Sequence, residues 1–310
     1  MKDFDRIVNN PLLIRVLKKG SKVIRVRLHN KENDLFRHKS EVSYAPAKNT
    51  SLMRANFKNE PMFYGAIFSE SLKDDGVPRL TCLLETHKGV SDDNYIGIRD
   101  LTYSAWRNKR DINLFVIPIF DSYENPPVDF VWYFEMWKHL IQEYNLNDDD
   151  IILLKELSQK FAFVPTNPDE EKECYSYTAE FTKKLLDSFP QIDGVMYPSS
   201  KLGKDGMGIN VAIRPSVIDE DFELIGCSLC RFFKRSKSQQ LVLTYKRGKV
   251  QSNDAISYNL DKEYYRDLDL VNQKDPSFEI KKKWNLTINQ YIKGHLILVL
   301  CEYPVTVLWR

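Results

Sequence analysis

The chain has 310 residues, 43% of them hydrophobic and 28% charged, which is enough to bury one large core or two smaller ones. Lys plus Arg number 45 against 43 Asp plus Glu, and this net charge of +2 excludes the strong basic excess of a nucleic-acid-coating protein while leaving room for a local basic patch. The five cysteines (Cys82, Cys174, Cys227, Cys230 and Cys301) are odd in number and scattered, which argues against a disulfide scaffold and for a reducing compartment. No apolar run has the length of a membrane span, and the first residues carry no apolar signal stretch, so a cytoplasmic protein without membrane contact is expected.

From the N-terminus, Asn9-Asn10-Pro11 reads as a helix start, with Leu12, Leu13, Val16 and Leu17 on one face and Gly20 as the stop. Lys22 to His29 alternates Val23, Val26 and Leu28 with Arg25, Arg27 and His29, the pattern of a half-buried strand whose basic side is solvated or touches phosphate. A short extended piece at 34–37 and a loop at 43–50 precede an aromatic strand at 61–68 and a turn at 73–78. Leu80, Leu83 and Leu84 fall at helical spacing in a run that ends at Glu85. A buried strand is expected at 114–120, and three helices at 129–144, 151–161 and 169–189, with Asp148 to Asp150 capping the second. Two short strands at 194–200 and 209–213 flank a glycine-rich turn at 203–208. Beyond Pro215 the segments 223–233, 239–245 and 295–309 are strand-like, and Lys246-Arg247-Gly248-Lys249 reads as a basic hairpin turn.

Several familiar chemistries are absent. Cys227-x-x-Cys230 has no second ligand pair at zinc-site spacing, and strand alternation would turn its two thiols to opposite faces, so buried structural cysteines and no metal are expected. There is no phosphate-binding loop, no metalloprotease motif and no nucleophile elbow around Ser199. Arg231, Lys234, Arg235, Lys237, Lys246, Arg247 and Lys249 lie close in sequence to Phe232, Phe233 and Tyr245, which describes either a basic face with stacking rings or a solvated sheet face.

One constellation stands above these: Arg54-Ala55-Asn56 before Pro61 and the Tyr64 strand, then Glu85 at the end of an apolar helical run, and then Gly194-Val195-Met196-Tyr197-Pro198-Ser199 followed by Asn210 to Pro215. In these residues and their order, residues 33–218 resemble the RES-domain family, named for its Arg, Glu and Ser. The resemblance implies an α+β, ADP-ribosyltransferase-like split mixed sheet with flanking helices. It also implies an NAD-consuming activity, hydrolysis or phosphorolysis of the nicotinamide–ribose bond, with NAD as substrate and no separate cofactor. Family members are mostly toxins restrained by a helix-turn-helix antitoxin.

Carried over by position, the resemblance implies Arg54, Glu85 and Ser199 as catalytic residues and Arg37, Asn56, Tyr64 and Tyr197 as NAD-binding residues. Glu85 is preferred to Glu70 because it ends an apolar helical run. The chemistry suits these side chains. A carboxylate stabilises an oxocarbenium-like transition state, a guanidinium clamps a pyrophosphate with two hydrogen bonds, and a tyrosine ring stacks on nicotinamide. Each residue also has a plainer reading: surface ion pair, core packing, helix end or turn cap. The expected division is a catalytic domain at 1–218 and a β-rich extension at 219–310 that packs on it or forms a homo-oligomer contact. Two alternatives stand beside NAD cleavage: ADP-ribosyl transfer to a macromolecule, and a non-catalytic nucleic-acid- or partner-binding protein.

Overall fold

The structure is a computed structural model. It describes residues 4–10, 12–31, 34–69, 76–120, 128–202, 208–236 and 239–260, and the backbone of 296–299 and 306–308. In chain order the elements are α1 (Phe4–Val8), β1 (Ile14–Leu17), β2 (Lys22–Leu28), α2 (Lys39–Val42), β3 (Phe63–Ile67), α3 (Gly76–Thr86), β4 (Gly97–Asn108) and β5 (Ile112–Val116). There follow α4 (Val128–Glu143), α5 (Asp148–Ala162), α6 (Pro168–Ser188), β6 (Gly194–Pro198), β7 (Ile209–Ile213) and α7 (Pro215–Asp221). The last are β8 (Phe222–Ser236), β9 (Gln239–Val250), β10 (Ile256–Leu260), β11 (Leu296–Val299) and β12 (Thr306–Leu308). The fold is α+β, as expected. Among the described residues no helix is long and apolar enough to cross a membrane.

Two compact units emerge: 1–23 with 43–81 and 106–223, and 24–42 with 82–105 and 224–310. A cut at 218/219 comes close to the last of these boundaries, but the second unit also takes two earlier segments. Its early strands pair with strands far along the chain, and such long-range pairing leaves no mark on local composition.

In the first unit the strand order is β1-β5-β6-β7-β3. β5 and β6 are parallel, whereas β1–β5, β6–β7 and β7–β3 are antiparallel, so this sheet is mixed. Phe4, Phe115, Trp137, Leu157, Phe161 and Phe181 belong to the core that α1, α4, α5 and α6 build with it. The helix starts follow ordinary capping chemistry. Asn147, rather than the three aspartates after it, caps α5 by accepting the Asp150 N–H at 3.0 Å. Asn167 caps α6 by accepting from Glu170, with Pro168 in the first turn. The expected helix over 12–17 is instead β1, because Ile14 to Leu17 pair with Phe115 to Ile112, and a short apolar run takes the form its neighbour offers. On α4, Trp137 is buried but Trp132 is 60% exposed.

In the second unit the order is β2-β4-β8-β9-β11-β12. The half of β9 from Lys246 to Val250 pairs with β10, and the half from Gln239 to Val242 runs parallel to β11. Lys246 to Lys249 are therefore mid-strand and not a hairpin turn. Gly248 sits there because a Cβ would come within 3.0 Å of Ile256, Tyr258 and Cys227. Seven of the twelve positions of β4 carry polar, charged or glycine residues, yet Asp100, Thr102 and Ser104 are all buried. The His29 Nε2 lies 2.8 Å from the Thr102 Oγ1, and the His29 ring stacks on Phe36 at 4.2 Å, so His29 is covered, while Arg25 and Arg27 on the same side are half-buried.

Candidate functional site

The segment from Arg54 to Tyr64 folds on its own hydrogen bonds. Met53 and Asn56 bridge across a tight turn. The Ala55 N–H donates to the Tyr64 Oη at 2.9 Å, and that hydroxyl donates to the Asn56 Oδ1 at 2.8 Å. The Asn56 Nδ2 donates to the carbonyls of Ser51 and Phe57 at 2.9 and 2.7 Å. The Asn-to-Tyr spacing seen in the sequence is thus the spacing that lets one phenol close one turn.

Arg54 points away from this turn and is buried. Its guanidinium donates to the carbonyls of Phe161 (2.6 Å), Phe163 (3.1 Å) and Lys160 (3.2 Å), and it lies 5.1 Å from the centre of the Tyr175 ring. These are carbonyls at the C-terminal end of α5, where helical partners run out and the helix dipole favours a cation. Replacing Arg54 with Met is expected to cost about 2 kcal/mol, since buried carbonyls without donors cost about 1–3 kcal/mol each and water recovers part of that. Urea unfolding checks this; an unchanged midpoint would mean that water already serves the end of α5.

The Tyr-Pro-Ser element ends β6, which is in the same sheet as β3 with β7 between them. Tyr64 is in register with Ala212, and Ala66 with Asn210, which is itself in register with Tyr197. Residues directly opposed in an antiparallel pair share a face, so Tyr64, Asn210 and Tyr197 stand on one side of β3, β7 and β6. The Phe161 ring of α5 packs there, 5.2 Å from Tyr197. Ser199 follows at the end of β6, fully buried. Its Oγ accepts the N–H groups of Lys201 and Leu202 at 3.3 Å, and its own N–H donates to the Gly208 carbonyl at 2.9 Å. Gly208 has φ +90, and a Cβ there would lie 3.0 Å from both the Ser199 Cβ and the Thr81 Oγ1. Asn210 was not singled out as a site residue. The available signal was an amide inside the otherwise apolar strand Ile209 to Ile213.

A groove of about 380 Å³ borders Asn56, lined on its other sides by Thr182, Lys183 and Asp187 of α6 and by Arg214. Lys183 lies 3.6 Å from Glu60 and 3.5 Å from Asp187. Arg214 donates to the carbonyls of Ile192 (2.9 Å), Phe189 (3.2 Å) and Leu186, so the end of α6 is closed by an arginine just as the end of α5 is. Burial lowers the Arg214 pKa, with Asp187 and Asp193 opposing the shift.

Arg54, Asn56, Tyr64, Tyr197 and Ser199 all belong to the first unit, whereas Arg37 and Glu85 belong to the second. Arg37 is exposed; its N–H donates to the Glu41 Oε2 at 2.7 Å and its carbonyl accepts from Ile256 at 2.7 Å. Glu85 is half-buried, one residue from the end of α3. Glu70 lies outside the described residues, as do most of the 203–208 turn, His295 and Cys301.

The basic stretch 231–249 presents no stacking face where it is described, and its cations divide: Lys249 is exposed and Lys246 and Arg247 are half-buried, whereas Arg231 and Lys234 on β8 are not solvated. Arg231 forms a buried ion pair with Asp100, Lys234 is fully buried, and Phe232, Phe233 and Tyr245 are all in the core. A basic or a solvated face would turn Arg231 and Lys234 outward, but both have buried partners that sequence cannot reveal. Burial pushes the Cys227 thiol up to about 12, and among the described residues no group of three His, Cys, Asp or Glu is placed to hold a metal. Neither a protein-family model nor a curated protein matches the chain.

Proposed function

We propose that this protein consumes NAD by cleaving the nicotinamide–ribose bond, with water as the acceptor. What supports the reading is one observation: Arg54, Asn56, Tyr64 and Tyr197, ordered as in the RES-domain family, meet α5 or one another in the first unit, with Arg54 bonded to the end of α5, Tyr64 bonded to Asn56, and Tyr197 packed on Phe161 of α5. Their bonding makes a rigid wall. Arg54 ties its turn to α5, Asn56 and Tyr64 lock each other, and Ser199 is held by two backbone N–H groups. Rigid placement is what a bond-cleaving site needs, because misplacement by about 1 Å can cost on the order of 10²-fold in rate.

In this reading the half-buried Tyr64 receives the nicotinamide, Tyr197 supports it from the core, and the resemblance assigns Arg37 and Arg54 to the pyrophosphate. For Arg54 that assignment requires exchanging one of its bonds to the α5 carbonyls for a phosphate oxygen. Glu85 is the carboxylate that stabilises positive charge as it develops on the ribose. The departing pyridinium becomes neutral nicotinamide, so the leaving group needs no proton.

The test is incubation of the purified full chain with NAD, wild type beside Glu85→Gln, with products resolved by mass. Wild type is expected to release nicotinamide and ADP-ribose. Glu85→Gln, which keeps the shape and removes the charge, is expected to lose on the order of 10²–10³ in kcat. ADP-ribose appearing on phosphate or on a macromolecule would change the acceptor. NAD left intact by folded wild-type protein would overturn the reading.

A further inference from the structure

Lys234, whose ammonium is fully buried, lies in sequence outside residues 33–218, which carry the family resemblance. On β8, it donates to three backbone carbonyls of the segment just after α3: Val90 at 2.7 Å, Asp92 at 2.8 Å and Gly89 at 2.9 Å. Lysine has three donors and no acceptor, so the three carbonyls match its capacity. Two residues earlier on the same face of β8, Phe232 meets the His87 ring edge-to-face at 5.2 Å, and Tyr95 meets that ring at 5.1 Å. Gly89 completes the fit, since a Cβ there would stand 2.8 Å from both the His87 Cε1 and the Tyr95 Cγ. Burial, with the charges of Arg99 and Lys234, holds the His87 pKa below its ordinary value, so it packs here as a neutral ring at neutral pH.

The N–H of His87 makes the last helical bond of α3, to Leu83 at 2.8 Å, and Glu85 lies between these two residues. The end of α3 is therefore anchored to β8 at two points, Phe232 through His87 and Lys234 through the carbonyls of 89, 90 and 92. Helix ends fray unless their last groups are held, and a carboxylate on a fraying turn is poorly placed for chemistry. We infer that Lys234 is a positioning residue for Glu85: its ammonium fixes the turn that follows α3 and so sets where the Glu85 carboxylate stands. The inference rests on the proposed NAD-cleaving role of Glu85 and gives a function to the chain beyond residue 218.

The experiment compares wild type, Lys234→Met and Phe232→Leu as full chains, measuring kcat and KM for NAD beside amide hydrogen exchange. Lys234→Met keeps the stem and removes the donors. It is expected to lower kcat 10- to 100-fold with KM for NAD within about twofold of wild type, on the scale expected of sub-ångström to ångström misplacement. Exchange should quicken over 87–92 and stay as in wild type over 194–198. Phe232→Leu removes only the ring contact and retains bulk, so it remains informative if Lys234→Met does not fold; a several-fold kcat loss with the same local exchange signature is expected. Faster exchange over 87–92 with wild-type kcat would overturn the inference while leaving the NAD reading intact. Wild-type protein inert towards NAD would overturn both.

Discussion

Asp100→Ala is expected to destabilise the protein by about 3–5 kcal/mol, the usual cost of removing one partner from a buried ion pair. The Arg231 Nε lies 2.6 Å from one Asp100 oxygen and its Nη2 lies 2.9 Å from the other, a two-pronged pairing. The two side chains are only 4% and 1% exposed, and the guanidinium also lies 5.4 Å from the centre of the Tyr245 ring. Water cannot take the place of the carboxylate, so the alanine variant leaves a cation buried without its counter-charge. The pair itself is worth much less than this, because both charges had to be desolvated to form it. The double variant Asp100→Leu/Arg231→Met is accordingly expected to be within about 2 kcal/mol of wild type. Urea denaturation of the single and double variants checks both statements. A loss below about 1 kcal/mol in Asp100→Ala would show that solvent reaches Arg231, and the burial argument would fail.

Gly194→Ala is expected to cost about 3 kcal/mol or more, at the upper end of the overpacking range. The alanine methyl would lie 2.2 Å from the Ala212 carbonyl oxygen and 2.9 Å from the Ile213 Cα. Both are backbone atoms of β7, so no side chain can rotate away, and β6 and β7 would have to part at Gly194 and Ile213, the first register pair. Gly194 opens the strand that ends beside Tyr197 and Ser199, so NAD turnover is expected to fall along with stability. Thermal unfolding gives the stability arm; an alanine variant with wild-type Tm would mean that the strands tolerate separation there.

Most helices and short strands were legible in the sequence. Leu80, Leu83 and Leu84 mark α3, acidic residues mark the starts of α5 and α6 although asparagines make the caps, and β3, β6 and β7 stand out as aromatic or apolar runs between turn residues. The spacing of Asn56 and Tyr64 was legible too, because one hydroxyl closes that turn locally. Two features were read differently, and β4 was not read at all. Ile14 to Leu17 became a strand because β5 offered it an edge. Lys246 to Lys249 became mid-strand because β10 and β8 both pair with it. β4 left no period because its polar residues are buried among polar partners such as His29 and Arg231.

What the sequence determined by itself is therefore local: the α+β class, where helices begin, where turns must fall, and a set of motif residues whose order carries a chemical expectation. These follow from periodicity, capping and backbone geometry, which act over a few neighbouring residues. Tertiary structure decided the rest. It closed α5 with Arg54 and α6 with Arg214, paired Arg231 with Asp100, and buried the Lys234 ammonium among the carbonyls of 89, 90 and 92. On sequence alone Arg231 and Lys234 read as part of a basic or solvated sheet face, and Arg54 as a phosphate clamp or a surface ion pair. Each is held by a partner from far along the chain, and a partner that arrives only with the fold decides whether a charge faces water or is buried and bonded.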